Sequence, residues 1–195
     1  TDLQGNEQWY KTFGGPSTDL GNSIQQTTDG GYIIFGFTIS FGNGNEIYLI
    51  KTDHLGDSLW TRRWTSMSGF RGYTGVQTND GGYIITGDGI LIKTDSQGNE
   101  LWNQTHMWGE CSLQQTTDGG YIMCGGTSND VVLIKTDSQG NELWNQTYGQ
   151  VNFQNSGYDV EQTTDGGYII TGVTNNTPGM AEDVYLIKTD SQGNE

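Results

Sequence analysis

The stretch Leu91-Ile-Lys-Thr-Asp-Ser-Gln-Gly-Asn-Glu-Leu-Trp-Asn-Gln-Thr105 recurs without a change at Leu133 to Thr147. Its opening, Leu-Ile-Lys-Thr-Asp, also stands at Leu49 to Asp53 and at Leu186 to Asp190. A second string, Asp-Gly-Gly-Tyr-Ile, stands at Asp29 to Ile33, Asp80 to Ile84, Asp118 to Ile122 and Asp165 to Ile169. Successive Leu-Ile-Lys-Thr-Asp strings begin 42, 42 and 53 residues apart, so four units fill the chain. A period of this size marks units that bury a core only by stacking on like neighbours.

Each unit predicts four short strands. In the first, Ser23 to Thr28 runs into the Asp29-Gly30-Gly31 turn, whose glycines supply the positive φ of a tight hairpin, and Tyr32 to Phe37 follows. Ile47 to Lys51 is almost continuously apolar, as are Ile90 to Lys93, Val131 to Lys135 and Val184 to Lys188, which suits a strand covered on both faces. The turn at Asp53 leads to Ser58 to Trp64. Four-stranded sheets buried on both faces and repeated at this period are propeller blades. The expectation is therefore an all-β fold, a single β-propeller domain of four four-stranded antiparallel blades: about 21–64, about 72–106, about 111–148, and about 157–195 completed by 7–13. The terminal segments Thr1 to Glu7 and Thr189 to Glu195 repeat one another, so the strand Glu7 to Phe13 is expected to complete the last blade and close the ring; the same overlap also fits a slice of a longer array.

Composition agrees. The chain has 195 residues, 31 of them glycine, with a single alanine at Ala181, which removes the usual material of helices. Eight basic against 23 acidic side chains give a net charge of -15, which repels phosphate backbones and anionic lipids, so no nucleic acid is expected, and no apolar run approaches the roughly 18 residues of a membrane span, so no membrane insertion is expected. The chain starts at Thr1 without a signal-like segment and is expected to be a soluble, mature piece.

These strings resemble the secreted tandem β-propeller repeats of bacterial and archaeal surface proteins, with Asp-Gly-Gly-Tyr-Ile and Leu-Ile-Lys-Thr-Asp…Gly-Asn…Leu-Trp signatures in all four units. The turn and tryptophan of Asp95 to Trp102 are distantly similar to the tryptophan-docking repeat of quinoprotein-type propellers, with one residue fewer between Asp and Gly; no cofactor is expected. The resemblance implies an extracellular or cell-surface module, without catalysis, that acts in adhesion, protein binding or assembly.

Loops of uniform length lie at one end of each unit and variable loops at the other, which makes the variable end the expected recognition face. Four residues after each repeated Trp stand Phe13, Trp64, His106 and Tyr148, and Trp108 is unrepeated. These are the ligand-binding candidates, able to stack on sugars in an alternative, lectin-like reading. Trp9, Trp60, Trp102 and Trp144 are expected in interblade packing. Glu46, Asp88, Asp130 and Asp183 read as solvated strand ends, and Gln26, Gln77, Gln115 and Gln162 as innermost residues facing ordered water. His106, Glu110 and Cys111 lack zinc spacing, so no metal is expected, and Cys111 and Cys124 read as buried thiols. No nucleophile stands beside a base, so no enzyme activity is expected. Asn103, Asn145 and Asn175 fit the glycosylation sequon, as in a glycoprotein. Expected partners are a protein or glycan at the cell surface, with strand exchange as a route to self-association.

Overall fold

The computed structural model describes residues 1–42, 44–65, 74–87, 89–106, 109–127, 129–149, 154–175 and 182–195. The regular elements among them are all strands, arranged as the four antiparallel blades of a β-propeller. Blade 1 is β1 (Asp19–Gln26), β2 (Tyr32–Thr38), β3 (Glu46–Thr52) and β4 (Ser58–Thr65). Blade 2 is β5 (Thr74–Gln77), β6 (Tyr83–Gly87), β7 (Ile90–Thr94) and β8 (Glu100–Thr105). Blade 3 is β9 (Gly109–Gln115), β10 (Tyr121–Gly126), β11 (Val131–Thr136) and β12 (Glu142–Tyr148). Blade 4 holds three strands: β13 (Gln154–Gln162), β14 (Tyr168–Asn175) and β15 (Asp183–Thr189).

Because side chains alternate along a strand, each blade has a leading face toward the preceding blade and a trailing face toward the next. Three core clusters fill the three seams. Ile33, Phe35 and Leu49 of blade 1 meet Tyr83, Ile85 and Ile92 of blade 2. Ile84 and Leu91 meet Leu113, Tyr121, Met123 and Ile134. Ile122, Cys124 and Leu133 meet Val160, Tyr168, Ile170 and Ile187. The apolar runs of β3, β7 and β11 are thus buried on both sides, the only solution for strands without a polar face.

The expected closure by the N-terminal strand is not formed. Residues 7–13 carry no ladder, and β15 remains the edge of a three-stranded sheet. Trp9 instead lies against blade 1, with its ring centroid 6.0 Å from that of Tyr32. Apolar docking needs only the face of blade 1, whereas a ladder needs β15 within about 4.8 Å of the same segment. The inner glutamines also differ from expectation. Rather than facing water, Gln77, Gln115 and Gln162 accept backbone N–H groups from the preceding blade through Oε1: Thr28, Asn79 and Thr117, each at 2.9 Å.

Candidate functional site

The two repeated strings meet at one end of each blade. In blade 1, Asp29 Oδ1 accepts from Thr27 Oγ1 at 2.6 Å and from the Gly31 amide at 3.0 Å, closing the hairpin. Lys51 reaches over from β3 to place Nζ 3.0 Å from Asp29 Oδ2, and donates to the Thr52 carbonyl at 2.8 Å. The same arrangement joins Lys93 to Asp80, Lys135 to Asp118 and Lys188 to Asp165. The Thr27 hydroxyl, the Lys51 ammonium and the Gly31 amide hold the Asp29 carboxyl down at about 2. Partial burial works against ionisation at Asp80 and Asp118, but the matching hydrogen bonds and lysines outweigh it and leave both at about 2. Burial, with the Asp29 and Asp80 carboxylates of the neighbouring blades adding to it, pushes the hydroxyls of Tyr83 and Tyr121 up to about 12.

The second fixed feature is the tryptophan dock. In the turns that begin at Asp2, Asp53, Asp95, Asp137 and Asp190, the carboxylate accepts the amides two and four residues on, and the glycine three residues on has positive φ. Each tryptophan then covers the turn glycine of the following blade. A Cβ on Gly98 would lie 2.7 Å from Trp60, one on Gly140 2.5 Å from Trp102, and one on Gly193 2.9 Å from Trp144. The same indoles lie edge-on or tilted to Tyr83, Tyr121 and Tyr168 of that blade. Trp9 repeats the contact on Gly56 and Tyr32.

Although they stand at the far ends of the outer strands, the candidate rings are turned inward, and Tyr148 reaches the Asp190 turn of blade 4. His106 and Tyr148 are buried, and the Tyr148 hydroxyl donates to the Gly193 carbonyl at 2.7 Å. Burial lowers the His106 pKa. Trp64 packs half-buried on the first core cluster, and Phe13 is half-buried over Leu20, Ile34 and Tyr48. Trp108 lies outside the described residues, as do Asp88 and the side chains of Glu110 and Cys111. A shallow polar hollow at this end is lined by Thr12, Phe13, Gly14, Gly15, Ser17 and Asp19. Asp19 is already engaged there, accepting from Thr38, from Ser40 at 2.8 Å and from the Gly15 amide at 2.9 Å.

Of the repeated acids, Glu46 pairs with Arg63 at 3.0 Å, Asp130 lies beside the Gly149 turn, and Asp183 is exposed. Among the described residues no group of three or more His, Cys, Asp or Glu could hold a metal ion, and no helix is long and apolar enough to cross a membrane. Cys124 is buried, opposite Ser112 in the ladder of blade 3. The sequon residues Asn103 and Asn145 sit exposed on β8 and β12, while Asn175 is half-buried at the end of β14.

Two seam features escaped the reading of the sequence. Gln25 and Gln114, each one position before the repeated glutamine, accept the amides of Gln77 and Gln162 at 2.6 Å. Arg62 crosses the first seam to the Gln97 carbonyl at 2.7 Å. The only available signal was position: 25 and 114 share one place in the repeat, but blade 2 has Val76 there and blade 4 has Glu161.

No protein-family model matches the chain, and no curated protein matches it. Solved structures do. A protein of unknown function from Bacteroides caccae is 14% identical, with a TM-score of 0.65 over 98% of this chain and 70% of its own. The Pan2 WD40 domain of Neurospora crassa is 11% identical, with a TM-score of 0.51 over 87% of this chain and 63% of its own. The chain thus shares the β-propeller fold with these structures.

Proposed function

We propose that the chain is a non-catalytic binding module that acts at the cell surface, in adhesion, protein binding or assembly, through the end that carries its variable loops. One observation carries this reading. The repeated polar and aromatic residues are engaged in building and joining blades: Asp with Lys within a blade, Trp with Tyr and Gly and Gln with backbone amides between blades. Variation in length and composition is confined to the opposite end, where a change of ligand leaves the scaffold intact. The shifted carboxyls are held ionised by fixed partners of their own blade, which supports a scaffold role for them.

The test is loop replacement. Residues 14–18, 66–72 and 150–153 are exchanged for Gly/Ser segments of equal length, and labelled protein is applied to bacterial cell envelopes and to a glycan array. Loss of envelope binding with unchanged melting supports the reading; binding that survives all three exchanges overturns it. Glycan signal abolished by Trp108→Ala would instead favour the carbohydrate-binding alternative.

A further inference from the structure

In each internal seam the ring four residues after the docking tryptophan sits at the rim, and the three rings differ in chemistry. Trp64 packs on the core cluster between blades 1 and 2. Tyr148 belongs to the cluster between blades 3 and 4, and its hydroxyl crosses to the Gly193 carbonyl at 2.7 Å. Between blades 2 and 3 the same place is held by His106, which is 8% exposed. Its backbone is tied to its own blade, the amide donating to the Gly89 carbonyl at 2.6 Å. Its Nε2 atom is buried and has no hydrogen-bond partner. The bond that Tyr148 makes across its seam thus has no counterpart at His106 among the described residues.

A neutral imidazole tolerates this place at the cost of one unmet hydrogen bond. An imidazolium adds a full charge and a second N–H donor where water is excluded, in the seam whose core is Ile84, Leu91, Leu113, Tyr121 and Met123. We propose that the joint between blades 2 and 3 is acid-sensitive: proton uptake by His106 favours the parting of these two blades, while the other two internal seams stay shut. The surrounding charges do not hold the proton in place. Glu142 of blade 3 draws it toward His106, but burial outweighs that attraction, and no ion pair joins the two among the described residues. Glu142 accepts from Asn145 instead. Asp137, in the turn before it, accepts the amides of Gln139 and Asn141, and Glu100 of the outer strand that leads to His106 accepts from Asn103.

The neighbouring joints carry no such switch. The Trp64 indole does not titrate, and burial, with Glu195 and Asp190 adding to it, pushes the Tyr148 hydroxyl far up, so its bond to Gly193 persists in acid. The hairpin aspartates Asp29, Asp80 and Asp118, held at about 2, stay ionised between pH 7 and 5. Burial lowers the His106 pKa below the unfolded value of about 6.5, so the opened chain binds the proton more tightly than the closed one. The stability that neutral His106 permits is therefore complete above about 6.5 and is lost as pH falls from there toward the folded value. Parting one seam exposes less surface than unfolding the chain, so the first response to acid is local opening.

Each seam has its own reporter amide: Thr28 bonds to Gln77 between blades 1 and 2, Asn79 to Gln115 between blades 2 and 3, and Thr117 to Gln162 between blades 3 and 4. The experiment measures hydrogen-exchange protection factors of these amides at pH 7.5 and 5.0 in the full chain, with the exposed His54 replaced by Asn so that one imidazole remains. Protection of Asn79 should fall about tenfold at pH 5.0 while Thr28 and Thr117 hold. The melting temperature should fall by about 2–4 °C over the same range. Both changes should vanish in His106→Phe, and also in His106→Tyr, which installs the ring of the Tyr148 position and serves if the Phe chain does not fold. The imidazole resonances of the parent give a readout that needs neither variant: His106 should remain neutral at pH 6 in the closed chain. Three results overturn the proposal: equal loss of protection at all three amides, a pH response that survives removal of His106, or a His106 ring protonated at pH 6 with Asn79 still protected.

Discussion

Blades 3 and 4 carry nearly the same strings and differ in what lies behind them. Lys135 and Lys188 each pair with the hairpin aspartate at 2.9 Å and donate to the next threonine carbonyl at 2.8 Å. The side chain of Lys135 is 4% exposed, beneath Trp144 of its own outer strand and the face of blade 4, while that of Lys188 is 44% exposed. An identical motif is therefore an ion pair with a buried lysine and an exposed aspartate in one blade, and a surface ion pair in the other. The strings specify geometry within a blade, and the energy is realised only when a neighbour covers it.

The largest break of this comparison comes from the indoles. Trp102→Ala opens a covered seam over Gly140 and Tyr121 and should cost about 3–5 kcal/mol in urea unfolding. Trp9→Ala removes the same group from a half-open site, where the indole is 42% exposed, and should cost about 1–2 kcal/mol. Equal costs would mean that the outer seam is as well covered as the inner ones.

The turn glycines sharpen the point by separating backbone from docking. Gly5 and Gly140 have nearly the same φ, 84° and 78°, but a Cβ on Gly5 meets nothing within 4 Å while one on Gly140 meets Trp102 at 2.5 Å. Gly5→Ala should show only the left-handed backbone cost, about 1–2 kcal/mol at most, and Gly140→Ala that cost plus displacement of the indole, about 2–4 kcal/mol in total. Thermal unfolding of both variants checks the difference.

Much of this was legible in the repeats, but not their consequences across blades. Strand β3 was read as Ile47 to Lys51 and observed as Glu46–Thr52, because a continuous apolar run bounded by turns leaves little choice. The hairpin glycines and the aspartate turns were legible because positive φ and local side-chain capture are properties of five residues. The Asp118–Lys135 pair was not, since it joins two strings 17 residues apart that appear unrelated until β10 and β11 are laid side by side. Phe13, Trp64, His106 and Tyr148 were read as a loop-end set because their spacing from the repeated Trp is constant. That constancy reflects a shared half-buried or buried position at the rim of the seams. That the fourth unit stops before its outer strand was legible, but not that the strand Glu7 to Phe13 would leave it unpaired, because closure depends on the angle between packed blades, which no local pattern encodes.

The hairpin aspartates give a pH form of the same contrast. Asp29, Asp80 and Asp118 are held near 2, below the unfolded value of about 3.9, so the stability they add is complete above that value and is lost as pH falls through about 2. In the His106→Phe chain the melting temperature should be flat from pH 7 to about 4 and then fall steeply. Asp118→Asn strands Lys135 on the Thr136 carbonyl alone and should cost about 1–2 kcal/mol at pH 7, reduced by the water that reaches the aspartate edge, with a shallower acid limb. Asp165→Asn leaves Lys188 free to hydrate, and its effect at pH 7 should be small beside that of Asp118→Asn.

The smallest expected effect is the most specific to the seam. Gln115 links blades by accepting the Asn79 amide at 2.9 Å, while its Nε2 donates to the Gly119 carbonyl of its own hairpin at 3.4 Å. Gln26 makes the equivalent hairpin contact to Gly30 at 3.4 Å but receives nothing from a preceding blade among the described residues. The difference between Gln115→Ala and Gln26→Ala is thus the worth of one interblade hydrogen bond, about 1 kcal/mol, with Gln26→Ala close to neutral in dilute solution. Equal costs in urea unfolding would mean that the bond from Asn79 to Gln115 adds nothing to stability.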